Sequence, residues 1–171
     1  MTASAQAYNT NGGGFGLVQN FHGAFGDAFD ESIVNSREVI SAGKFTLAGV
    51  EMEIRPDNDA FEVTIPYAKA VYMHMLGHDC HSIIAGAGHA DVVIANLRGY
   101  LDAGFEIFLS AHYAPETRKD VETKIAYLES LKTIAAECDG AQMFKDKVNE
   151  RYPGYTGGNY LDMTAGFFFP Q

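Results

Sequence analysis

The chain has 171 residues, of which 47% are hydrophobic and 20% charged, a composition typical of one folded domain and not of a disordered segment. Its formal net charge of -10 argues against nucleic acids and anionic membranes as partners, because both are recognised by clusters of Lys and Arg. No run reaches the length of a membrane span, and the start lacks a basic segment followed by an apolar one. We therefore expect a soluble, cytoplasmic protein.

The first 43 residues form a glycine- and aromatic-rich N-terminal arm. Gly12–Gly14 open this stretch, and phenylalanines then recur at Phe21, Phe25 and Phe29. A phosphate-binding loop needs a terminal Gly-Lys-Ser/Thr or a preceding strand, and this stretch offers neither. We interpret the segment as an arm that docks its aromatic side chains on another surface.

Alternating apolar residues predict β-strands along the next part of the chain. A hairpin is expected over Lys44–Ile54, with its tight turn at Ala48–Gly49. Asp57–Asp59 supplies a further turn before a third strand at Phe61–Ile65, and Ala68–Met75 is an apolar fourth strand. The pattern predicts four strands in antiparallel, meander order.

Helical spacing of apolar residues begins at Val92 and continues to Leu101, with Gly104 as the C-terminal cap. A strand is expected at Phe105–Ala111, and Pro115 and Glu116 open a second helix. A third helix is expected over residues 141–148, before a glycine-rich aromatic tail. The order of elements predicts an α/β (α+β) fold, with an antiparallel or mixed sheet covered by helices on one face.

The domain organisation follows from these changes in composition. We expect an N-terminal arm over residues 1–43, a folded half-domain over residues 44–155 and a C-terminal tail over residues 156–171.

Histidines concentrate in one part of the chain. Five of the six lie between residues 74 and 112, and one carboxylate stands among them. Neutral imidazole is the commonest protein ligand of zinc, so histidines beside a carboxylate and near strand ends indicate a candidate metal site. The candidate ligands are His74, His78, Asp79, His81, His89 and His112.

Four segments follow one another in a recognisable order. They are a strand, a proline-centred corner and a second strand (Phe61–Met73), a helix end (Asn96–Gly104), a strand ending in a histidine before Pro115 (Phe108–His112), and part of the next helix (Ile125–Leu128). In this order they resemble the C-terminal half of the metallo-β-lactamase fold, particularly its alkyl-sulfatase-like members. The resemblance implies half of an αββα sandwich and a metal-dependent hydrolase.

The resemblance also implies which residues bind metal, and here the chain departs from the family. His112 falls on the family's strand-end ligand. The family's His-x-His-x-Asp-His motif is absent from this sequence. The position of the family's bridging acid is occupied by Met75, and the position of its other ligand histidine lies near Asp57–Asn58, where this chain has no histidine. A thioether does not neutralise a hard divalent cation, so the metal motifs are degenerate.

Two ligand sets and one structural alternative remain open. His78 and His81 with His112 would make a three-histidine site for zinc or iron, and Asp79 with His81 and His112 a mixed one. Alternatively these are partly exposed loop histidines that bind no metal, with Asp79 capping a turn or pairing with one of them. Serine and cysteine nucleophiles receive less support, because the sequence has no Gly-x-Ser-x-Gly elbow, and the adjacent residues Cys80 and His81 would pair only in a turn.

Two functions are therefore considered. The first is a truncated or degenerate metallo-β-lactamase-like protein that acts as a metal-dependent hydrolase of ester- or sulfate-like bonds on a small molecule. The second is a non-catalytic interaction or small-molecule-binding module, or one half of a split metallo-hydrolase. A single sheet of a two-sheet sandwich leaves an apolar face, so we expect a homo-oligomer, most simply a dimer, or a companion chain that supplies the missing half.

Overall fold

The computed structural model describes residues 7, 10, 12–30, 40–56, 61–74 and 77–170. The predicted turn at Asp57–Asp59 and the residue Met75 lie outside the described residues. The chain divides into two compact units, Met1–Tyr67 and Ala68–Gln171. The three-part boundaries expected from composition remain a prediction.

The described residues of the first unit include a helix and an antiparallel meander of three strands. Helix α1 is Gly13–Phe25, and strands β1, β2 and β3 are Gly43–Leu47, Val50–Pro56 and Phe61–Ile65. Strand β2 pairs antiparallel with β1 on one side and with β3 on the other. The period-two pattern thus gave the correct structure for this part of the chain.

The turn between β1 and β2 has the predicted two-residue form. Leu47 pairs with Val50, so Ala48 and Gly49 alone make the connection. Both have positive φ, 50° and 82°. Two consecutive left-handed residues define a type I′ turn, whose twist matches that of the flanking strands, and glycine adopts this conformation without strain.

The second unit combines three strands with four helices among the described residues. The strands are β4 (Ala70–Met73), β5 (Ile107–Ser110) and β6 (Glu116–Thr117); the helices are α2 (Ala87–Asp102), α3 (Arg118–Ala136), α4 (Ala141–Arg151) and α5 (Gly158–Phe168). Strand β5 pairs parallel with β4 and antiparallel with β6. The α+β fold with mixed strand directions is therefore confirmed.

The hydrophobic core of this unit lies around helix α3. Its buried stripe is Val121, Ile125, Leu128 and Leu131, the apolar positions that helical spacing marks in the sequence. Phe108 of β5, Leu97 of α2 and Phe144 of α4 belong to the same buried cluster. The core fixes α3 relative to the strands, and α3 in turn positions the polar residues described below.

Two sequence expectations about element boundaries are wrong. Glu116 does not open a helix: Glu116–Thr117 pair with β5 as β6, and α3 begins at Arg118. Thr117 is the N-cap residue, and its side chain forms a reciprocal capping box with Asp120, which satisfies backbone donors that would otherwise lack partners. The fourth strand is also shorter than expected, since β4 ends at Met73 and His74 lies in a turn.

The expected aromatic tail is largely helical. Helix α5 covers Gly158–Phe168, with Leu161, Thr164 and Ala165 buried. Among the described residues, no helix combines the length and apolar content needed to cross a bilayer.

Candidate functional site

Two predicted metal ligands meet at the C-terminal edge of the parallel strands. His74 directly follows β4, and His112 lies two residues beyond the end of β5. Because parallel strands end at the same edge, the two imidazoles come together, with ring centroids 5.1 Å apart and planes inclined at 71°. Both side chains are exposed. The structure therefore joins an expected ligand that the resemblance supports, His112, to one that it does not, His74.

The electrostatics at His74 favour its neutral imidazole form. Partial burial, and secondly the neighbouring His112, lower the pKa of His74. Neutral imidazole is the form that binds a metal ion.

The ligand count of this pair is low. A catalytic zinc takes about three protein ligands. Across residues 12–30, 40–56, 61–74 and 77–170, no three His, Cys, Asp or Glu side chains are grouped so that they could hold a metal ion. The described residues supply two ligands and do not by themselves fit a catalytic centre.

His78 faces the start of helix α3. Its backbone N–H and its Nδ1 both approach Oε1 of Glu116, at 2.6 and 2.7 Å, and its Nε2 lies 3.8 Å from Oδ1 of Asp120. The hydrogen bond to the buried Glu116 carboxylate raises the pKa of His78, and the charges of Asp120 and Asp79 add to this effect. His78 is thus an ion-paired side chain whose Nδ1 is already engaged.

His81 is buried against tyrosines. It is 2% exposed, and its Nδ1 is hydrogen-bonded to the hydroxyl of Tyr127 at 2.8 Å. Burial, and secondly the charge of Lys124, lower the pKa of His81, so the ring is neutral in the folded protein at neutral pH. Tyr155 also packs against the ring of His81, with ring centroids 5.6 Å apart.

The other two candidates lie at different places in this unit. Asp79 is exposed, and its carbonyl oxygen accepts a hydrogen bond from the backbone N–H of Thr156. His89 is exposed in the first turn of α2, where its Nδ1 accepts from the backbone N–H of Ala85. The metal role of His78, Asp79, His81 and His89 remains a sequence-based prediction.

Three polar residues of this region were missed in the sequence. Glu116, Asp120 and Lys124 follow one another at four-residue spacing and face the segment after β4. Glu116 and Lys124 are 6% and 3% exposed, which is unusual for charged side chains. One feature of the sequence could have revealed them. Lys124 lies between Val121 and Ile125 on the apolar stripe of α3, where a charged side chain is unexpected.

Comparisons with known proteins give a match to solved structures and none to sequence families. No protein-family model matches the sequence, and no curated protein does. Among solved structures, the chain is similar to the stereoselective inverting sec-alkylsulfatase Pisa1 from a Pseudomonas species, with a TM-score of 0.55 and 14% sequence identity. The match covers 78% of this chain and 26% of that one.

At this identity the likeness shows the fold alone. The chain spans about a quarter of the length of the enzyme it matches, so the activity of the whole enzyme does not transfer to this chain by similarity.

Proposed function

We propose that this chain contributes a two-histidine metal site, His74 and His112, to a hydrolase with a metallo-β-lactamase-like fold. The observation that carries the proposal is the 5.1 Å approach of the two rings at the ends of β4 and β5. Ligands in α/β proteins collect at this edge of the strands. The fold likeness to an alkylsulfatase supports the same reading.

A complete site would need further ligands, from a companion chain or from a second copy of this chain. Zinc or iron with three or more ligands and an open position polarises an ester- or sulfate-like bond and activates water. His74 and His112 would orient the ion, and no hydrolytic step is assigned to them alone. We also propose a homodimer, or a complex with a companion chain, located in the cytoplasm and acting on a small molecule.

A second candidate is a non-catalytic interaction or small-molecule-binding module. It is favoured by the contacts of His78 and His81, whose Nδ1 atoms bond to Glu116 and Tyr127. In this alternative the metal-binding role was lost and the histidines were retained for packing.

Metal titration tests the first proposal. Protein purified without an affinity tag and stripped with a chelator is titrated with Zn²⁺ by calorimetry, as wild type, His74→Ala and His112→Ala. We expect each substitution to abolish the binding isotherm. We also expect the affinity to fall at low pH as His74 protonates, below the ordinary imidazole pKa of about 6.5 because the pKa of His74 is lowered. His89→Ala, which changes an exposed histidine elsewhere in the same unit, is the matched control.

The results separate the candidates. Zinc binding that survives both substitutions, or no zinc binding by wild type, would refute the two-histidine site. Another outcome is that zinc binds while the isolated chain hydrolyses neither aryl sulfates nor aryl esters. In that case the mass in solution, measured by light scattering, distinguishes an incomplete assembly from a binding module. A monomer that gains activity when a companion is added supports the split enzyme.

A further inference from the structure

Helix α3 places a buried amine beneath the segment that follows β4. Lys124 is 3% exposed, and its Nζ donates to the carbonyl oxygens of Gly77 at 2.7 Å and Cys80 at 2.6 Å. It also lies 4.9 Å from the ring centre of Tyr127. A lysine is rarely buried to this degree, because removing its charge from water is costly unless the surroundings compensate.

The groups around Lys124 compensate in part for the cost of burying its charge. Burial lowers the pKa of Lys124 to about 8, whereas the charges of Cys80, Glu116 and Asp79 act to raise it. The amine therefore keeps most of its charge at neutral pH. Two carbonyl oxygens, a nearby carboxylate and an aromatic face are the groups that surround a bound cation in proteins.

The segment from Gly77 to His81 has little regular structure of its own. It makes one isolated bridge, between Cys80 and Thr156. Other contacts also attach it to its surroundings, among them those of His78 with Glu116, of His81 with Tyr127, and of Tyr113 with Gly77 and Cys80. Lys124 adds two strong hydrogen bonds to carbonyl oxygens that would otherwise be buried without a donor.

We infer that Lys124 is an internal cation that organises the Gly77–His81 segment. The ammonium group is tethered to the core through α3, so the segment is ordered without a metal ion. This inference is independent of the two-histidine site and stands whether or not zinc binds there.

The test uses Cys80 as a reporter of segment opening. Its thiol is 3% exposed and accepts a hydrogen bond from Tyr113, so it reacts with a thiol reagent only when the segment opens. In a Cys138→Ser background, Lys124→Met keeps the apolar volume and removes the donor. We expect Cys80 to react at least about tenfold faster in this variant. Lys132→Met, at a half-buried lysine of the same helix that pairs with Asp91, should leave the rate unchanged.

Rescue by a small amine distinguishes a cation from a merely structural side chain. Lys124→Ala removes the equivalent of n-propylammonium, so n-propylammonium chloride should return the Cys80 rate towards wild type, while n-propanol at the same concentration should not. If the alanine variant does not fold alone, its refolding yield in these two additives is the readout. Equal effects of amine and alcohol would overturn the inference.

Metal removal completes the test. Treating the wild type with a chelator should leave the Cys80 rate unchanged, because the internal amine and not a metal holds the segment. A rise in the rate on chelation, or a wild-type rate in Lys124→Met, would show that Lys124 does not have this role.

Discussion

One oxygen of Glu116 accepts both the backbone N–H and the ring Nδ1–H of His78, at 2.6 and 2.7 Å. Strand β6 and the segment after β4, which are separated by 38 positions in the sequence, are thereby joined through a carboxylate that is 6% exposed. Charge-assisted hydrogen bonds of this kind are stronger than neutral ones, particularly when water is excluded.

Removing the charge of Glu116 should weaken its two hydrogen bonds with His78. We expect Glu116→Gln to lower the free energy of unfolding by about 1–3 kcal/mol, because a buried charge-assisted pair becomes a neutral one. Urea denaturation measures the change. Glu106→Gln, which removes an exposed carboxylate paired with Lys69, is the control and should lower the free energy of unfolding by less than Glu116→Gln does. Equal costs for the two variants would contradict the special role of Glu116.

The titration of His78 provides a second prediction. Its pKa is raised in the folded protein, first by the hydrogen bond to Glu116. The stabilisation from its charged form is therefore fully present below the unfolded-state pKa of about 6.5 and is lost as the pH rises through the higher folded-state pKa. Proton NMR of the ring should show this pKa falling in Glu116→Gln. An unchanged pKa would mean that Asp120 and Asp79 supply the shift.

The hydrogen bond between His81 and Tyr127 should respond in the opposite direction to pH. Because burial lowers the pKa of His81, its contribution to stability is present above about pH 6.5 and is lost as the pH falls through the lower folded-state pKa. Tyr127→Phe leaves the buried Nδ1 without its partner, and we expect a cost of about 1–2 kcal/mol in urea denaturation. Tyr67→Phe, at a side chain that is 93% exposed, should change stability by less than about 0.5 kcal/mol.

Gly157 should not tolerate a side chain. Its φ is +79°, and a Cβ would lie 2.8 Å from Sγ of Cys80 and 2.9 Å from the ring of Tyr160. We expect Gly157→Ala to cost about 2–4 kcal/mol, from backbone strain and overpacking together. The next residue is a matched control, since a Cβ at Gly158 meets nothing within 4 Å. Adding Cys80→Ala should recover part of the loss; no recovery would assign the cost to backbone strain and to the clash with Tyr160.

The sequence by itself determined most of the elements. Alternation fixed the hairpin around Ala48–Gly49, and helical spacing fixed the buried face of α3, because burial on one face follows directly from the period of the backbone. The concentration of histidines and the strand ending before His112 were equally visible. These features depend on neighbours within a few residues along the chain.

Only the tertiary structure decided which polar groups meet. The pairing of Glu116 with His78, of Lys124 with Gly77 and Cys80, and of His74 with His112 joins residues about 40 positions apart. Such contacts depend on which strands pair and on which distant segment packs against α3, and the local hydrophobic period carries no information about either. For the same reason Glu116 was assigned to a helix: the strand pairing that makes it part of β6 is a long-range hydrogen-bonding event, invisible in the local sequence.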